Sequence, residues 1–194
     1  MNTNILVDEL PEAVEVSGNL LPIETNFRTY ILVELLFNDR DATEAEKVYG
    51  ALNLIYGHVP QNVPEAVSAM LWFWRGGKPE PRRGKRASAA RIKRIYDYGQ
   101  DDGYIYAAFL DQYGIDLNDV EYMHWFKFRA LFHALKEDTE IVKIMGYRSL
   151  DIGKIKDKEQ RMKMAQLKAR YQIEENLSEE EKAARISGAL GGFA

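Results

Sequence analysis

Residues Val120 to Leu135 read VEYMHWFKFRALFHAL. At 3.6 residues per turn, Tyr122, Trp125, Phe126, Arg129, Phe132 and His133 share one face of a helix. His124, Phe128, Leu131 and Leu135 share the neighbouring face, and only Glu121, Lys127 and Arg129 are charged. A helix that is apolar nearly all round is buried in a core or covered by a partner. The pattern predicts a helix from about Leu117–Asn118 to Leu135, with burial in the core as the first reading. Partner binding is the second, with Tyr122, Trp125, Phe126 and Phe132 as candidate contacts.

Helical signals extend from this segment in both directions. Upstream, AVEVSGNLLPI alternates around a Ser17-Gly18-Asn19 turn and predicts a β-hairpin over 13–23. Thr25 or Asn26 can cap a helix from Phe27 to Asn38. Thr43 with Glu46 three residues on forms a capping box for a second helix, ended by Gly57. NVPEAVSAMLWFWRGG has Pro64 in its first turn, a stripe of Val67, Met70, Leu71 and Trp74, and a terminating glycine pair. Its Leu71, Trp72 and Trp74 join the candidate partner contacts. A fourth helix covers Asp101 to Tyr113, ended by Gly114. EDTEIVKIMGYRSL and KDKEQRMKMAQLKARYQI predict two more beyond Leu135. The expected fold is mainly α: one helical domain over 1–173, of about six to seven helices, with a small N-terminal β-hairpin. Residues 174–194 read as a flexible C-terminal tail.

Composition narrows the function classes. The 194 residues are 46% hydrophobic and 29% charged, with a net charge of −4, so the chain as a whole does not favour nucleic acid. It has no cysteine, which excludes a disulfide scaffold, a thiolate metal site and a cysteine nucleophile. MNTNILVDELPEAVEV lacks a basic start and carries Asp8, Glu9 and Glu12, unlike a signal peptide. YILVELLF is broken by Glu34 and is too short to span a bilayer. A soluble, cytoplasmic protein with no membrane contact is expected.

Charge is segregated. Residues 1–75 carry eleven acidic and four basic side chains, a net −7, whereas 76–94 are a net +7. Two prolines and three glycines make 76–94 an exposed basic loop, with Arg82, Arg83, Lys85 and Arg86 as its candidate contacts. Binding to single-stranded nucleic acid would favour aromatics among the basic residues, and this loop has none. Docking on an acidic protein surface, or simple solvation, fits better. Opposite charge in two parts of one chain also allows head-to-tail self-association into rings or helical arrays.

Sites for chemistry are not indicated. His124 and His133 are nine residues apart and point in different directions, whereas helical zinc sites prefer His at i and i+4. Histidines packed with their polar tips bonded are the simpler expectation. DYGQDDGYIYAA, from Asp97, resembles a calcium loop but has Asp102 where glycine is needed and Ala108 where the bidentate glutamate belongs. A turn and helix start rich in Asp explains it. No GxxxxGK[ST], GxGxxG after a strand, GxSxG or HExxH occurs. Neither an enzyme nor a cofactor-binding protein is expected.

Four blocks carry a resemblance. AMLWFWRGGK (69–78), RIYDYGQDDGYIYAAFLDQYGIDL (94–117), VEYMHWFKFRALFHALKEDTEIVKIMGYRSLDIGKIKDKEQRMKMAQLKARY (120–171) and DELPEAVEVSGNLLPIETNFRTYILVE (8–34) resemble the bacteriophage gene-product-fifteen family of tailed phages and prophages. The resemblance covers about residues 8–171. It implies a viral tail-assembly protein encoded close before the tape-measure gene. Proteins in that position look like chaperones that coat the tape-measure protein while the tail tube polymerises. The tape-measure protein is thus the implied partner, with the tail-tube protein as a further one. The implied setting is the cytoplasm of the infected or lysogenic host. A minor structural component kept in the virion tail is the alternative, and a nucleic-acid module using the basic loop is a second. The family has no established catalytic residues to carry over.

Overall fold

The computed structural model describes residues 3–79 and 94–174. Its elements, in chain order, are β1 (Ala13–Val16), β2 (Asn19–Pro22), α1 (Phe27–Asn38), α2 (Glu44–Tyr56), α3 (Val63–Trp74), α4 (Asp102–Tyr113), α5 (Trp125–His133), α6 (Glu140–Ser149) and α7 (Lys158–Arg170). A single 3-10 turn, Ile152–Lys154, precedes α7. The described residues thus give a mainly helical protein, 53% helical, with seven α-helices and one antiparallel hairpin.

Local chemistry accounts for most boundaries. Val16 pairs with Asn19 across a two-residue loop, Ser17-Gly18, in which both residues have positive φ, the geometry that matches strand twist. Val14 and Val16 turn inward, and Asn62 and Glu65 of the α3 start hold Ser17 Oγ at 3.0 and 2.9 Å. Asn26 caps α1 by accepting from Arg28 N. The Thr43–Glu46 box at α2 is complete, and Gly57 ends that helix in the left-handed region.

The segment before α5 departs from expectation. The predicted helix from Leu117–Asn118 starts only at Trp125. Arg28 draws the carbonyls of Leu117 and Val120 toward itself at 2.7 and 2.8 Å, taking them out of any helical ladder. Residues 123–125 instead run against 25–27: Phe27 N donates to Met123 O at 2.9 Å and Trp125 N to Thr25 O at 2.7 Å. His124 then caps α5, its Nδ1 accepting from Phe126 N at 3.0 Å. Long-range pairing has overridden local helical periodicity here.

The interior is an aromatic stack built around α5. Phe73, Tyr30, Trp125 and Phe128 follow one another with ring centroids 5.2, 5.0 and 5.7 Å apart. Phe27 and Phe109 then stack on Phe128 at 4.8 and 5.1 Å. One stack thereby ties α1, α3, α4 and α5 together. Such ring pairs contribute about 0.5–1.5 kcal/mol each beyond their area burial. α6 packs on α4, and α7 lies on α6 without a buried residue of its own.

Candidate functional site: an apolar cavity between α1 and α3

Where α1 and α3 diverge they leave an open cavity of about 540 Å³. Val33 and Phe37 of α1, Met70, Leu71 and Trp74 of α3, and Ile95 form most of its wall. The helix pitch explains why. Ala66, Met70 and Phe73 are buried in the core, so the next ridge of α3, through Leu71 and Trp74, has no helix of its own to meet. The predicted stripe of Val67, Met70, Leu71 and Trp74 therefore marks the boundary between core and cavity; the buried ridge runs through Ala66, Met70 and Phe73.

One carboxyl lies in this apolar setting. Glu34, on α1, is pushed up to about 7 from a usual 4.5, first by burial and also by Asp97. The Trp74 indole, Arg129 and Arg94 oppose the rise. The indole acts on the carboxyl without closing a well-formed hydrogen bond: Glu34 Oε1 and Trp74 Nε1 are both buried without a partner. Arg94, also in the wall, bonds Asp97 at 3.3 Å. Tyr96, beside it, is pushed up to about 12, mainly by burial. A room lined mostly by aliphatic and aromatic groups, with its polar groups at Glu34, Asn38, Arg94 and Tyr96, suits an apolar guest that brings few polar atoms.

The sequence-predicted contacts divide. Leu71 and Trp74 stand together in the cavity wall. Trp72 is half-buried, packed against the core, and Tyr122 is exposed with its hydroxyl 2.8 Å from Thr25 Oγ1; neither lines the cavity. Trp125, Phe126 and Phe132 are only 1%, 4% and 5% exposed. They cannot form a surface for a partner while the protein is folded, because α5 is wrapped by α1, α3 and the loop that pairs with Thr25. Arg82, Arg83, Lys85 and Arg86 lie outside the described residues.

Two polar residues were not singled out by sequence. The signal for Glu34 was present: it is the one charge within the run YILVELLF. Arg148 carried none, being one base among many, yet it is 2% exposed and bonds Asp101 on both nitrogens. Asp101 precedes α4 but makes no capping bond there. Its carboxylate turns instead to Asp97 N and to Arg148. The Asp-rich stretch from Asp97 is a turn and helix start, with Asp97 Oδ1 accepting from Gly99 N and Gln100 N. His124 has both ring nitrogens engaged, Nδ1 by Phe126 N and Nε2 by the carbonyl of Pro11 at 3.2 Å.

No helix among the described residues is long and apolar enough to cross a membrane. A family model described as Bacteriophage Gp15 protein matches residues 6–173. No curated protein and no solved structure matches the chain.

Proposed function

We propose that this chain, which belongs to the Bacteriophage Gp15 protein family, is a phage tail-morphogenesis protein acting as an assembly chaperone for the tape-measure protein. The observation that carries this reading is the open cavity between α1 and α3, lined by Leu71, Trp74, Phe37 and Met70. A tape-measure protein is long and helical and aggregates when naked, as the resemblance to tail chaperones implies. Its keeper must offer apolar room to helices, in many copies, and release them later. Helix-in-groove recognition uses such walls, and adaptable methionine and aromatic surfaces accept varied sequences. Modest affinity per copy, multiplied along one client, gives a coat that is tight and still reversible.

On this reading the protein works by binding, with no reacting group, in the cytoplasm of the infected or lysogenic host. Co-expression with the neighbouring tape-measure protein tests it. The client should stay soluble, co-purify with this chain and scatter less light than when expressed alone. A client equally insoluble with and without it refutes the reading. A virion that retains the protein in stoichiometric amount would instead favour a structural tail component.

A further inference from the structure

Most polar groups in the wall of the α1–α3 cavity already have partners. Asn38 Nδ2 donates to Asp97 Oδ2 at 3.5 Å, and Arg94 pairs with the same oxygen at 3.3 Å. The Tyr96 hydroxyl interacts with that of Tyr98. Two atoms of the wall residues differ. Glu34 Oε1, on α1, and Trp74 Nε1, on α3, are buried and have no hydrogen-bond partner among the described residues. The indole can only donate, and a carboxyl oxygen can accept. Buried polar groups are nearly always bonded, so a donor and an acceptor left over in one cavity wall point to a guest that meets both. Their supports are fixed by the core: Trp74 O accepts from Trp125 Nε1 at 2.9 Å, and Val33, next to Glu34, is 3% exposed.

The chemistry of that guest is narrow. An ammonium brings donors only, leaves the indole N–H unmet and meets repulsion from Arg94 and Arg129, which both act on Glu34. A carboxylate brings acceptors only and would face Glu34 and Asp97. A primary carboxamide is neutral and carries an acceptor and a donor on neighbouring atoms. We infer that the α1–α3 cavity binds a primary carboxamide on an apolar stem, its oxygen accepting from Trp74 Nε1 and its nitrogen donating to Glu34 Oε1. The stem lies along Phe37, Met70 and Leu71. In a consequence that rests on the proposed function, the group is the glutamine or asparagine side chain of a client helix, which makes Glu34 and Trp74 the residues that select the client.

The test uses the full chain and hexanamide, followed by nuclear magnetic resonance at the indole N–H of Trp74. The chain has three tryptophans, and the signal missing from Trp74→Phe is the one to follow. Hexanamide should shift that signal saturably. Hexanoate, hexylammonium and hexan-1-ol should each bind at least roughly tenfold more weakly, the worth of one hydrogen bond to a buried group. Glu34→Leu should weaken hexanamide by a similar factor. So should Trp74→Phe, read at the Leu71 amide; it keeps an aromatic wall and serves even where Glu34→Leu fails to fold. A Trp74 signal that hexanamide leaves unmoved overturns the inference. So does any of the other three probes binding as tightly, or a folded Trp74→Phe chain binding hexanamide like wild type. No tape-measure protein is present, so these outcomes are separate from failure of the chaperone reading, which the co-expression experiment decides.

Discussion

Arg148 grips Asp101 with both ends of its guanidinium, Nη1 to Oδ2 at 2.5 Å and Nη2 to Oδ1 at 2.9 Å, and neither side chain is more than 2% exposed. The same guanidinium donates to Ile95 O at 3.1 Å and to Tyr171 O at 2.5 Å. One side chain of α6 thereby fixes the start of α4, the end of α7 and the segment at Ile95 that forms part of the cavity wall. Removing one partner of such a pair leaves the other charge buried. Arg148→Ala should therefore destabilise the fold by about 3–5 kcal/mol in urea unfolding. Arg148→Lys should recover little, because a single ammonium cannot replace the fork. A loss below about 1 kcal/mol for Arg148→Ala would show that the pair is not closed in solution.

Glu34 makes stability depend on pH in a defined sense. Its folded pKa, about 7, lies above the usual 4.5. The folded state therefore holds this proton more tightly. The associated stability is fully present below pH 4.5 and is lost as pH rises to about 7. Glu34→Gln should match wild type near pH 4.5 and exceed it above pH 7. The gain approaches about 1.4 kcal/mol for each pH unit between the two values as an upper limit. Paired urea titrations over this range read it directly, and a pH-independent difference would contradict it.

His124 acts in the opposite sense. Burial lowers its pKa from 6.5, so the neutral ring belongs to the folded state, and stability falls as pH drops through 6.5. Protonation would put a hydrogen on Nδ1, which now accepts from Phe126 N. His124→Asn should retain the cap and remove this acid sensitivity, whereas His124→Ala should cost about 1–2 kcal/mol near pH 7.5. The comparison of the two variants at pH 5 and 7.5 checks both statements.

Phe126 separates core from surface. It is 4% exposed and lies 4.7 Å from the Phe73 ring. Phe126→Ala should cost about 3–5 kcal/mol and lower the melting temperature. Leu71→Asp, at the cavity wall, should leave melting nearly unchanged. Equal effects would place Leu71 in the core.

Much of the architecture could be read from local patterns: the hairpin around Ser17-Gly18, the Thr43–Glu46 box, the glycine stops at Gly57 and Gly114, and the burial of the aromatic helix. The start of α5 could not, because Arg28 and Thr25 lie about a hundred residues away in sequence and compete with the helical ladder for the same backbone groups. The candidate site was half legible. Leu71 and Trp74 stood out as large apolar residues on one helix ridge, but Trp125, Phe126 and Phe132 look the same in sequence. Only packing decides which rings are covered. Glu34 and Arg148 needed the fold, since a charge gains its meaning from what surrounds it.

Crosslinking from the cavity wall tests the central claim most directly. A photoreactive residue at position 71, introduced into the full chain in cells that also express the neighbouring tape-measure protein, reports what occupies the cavity. The account predicts an adduct with the tape-measure protein. Position 71 giving no tape-measure adduct, while a control site on the opposite surface does, would contradict it.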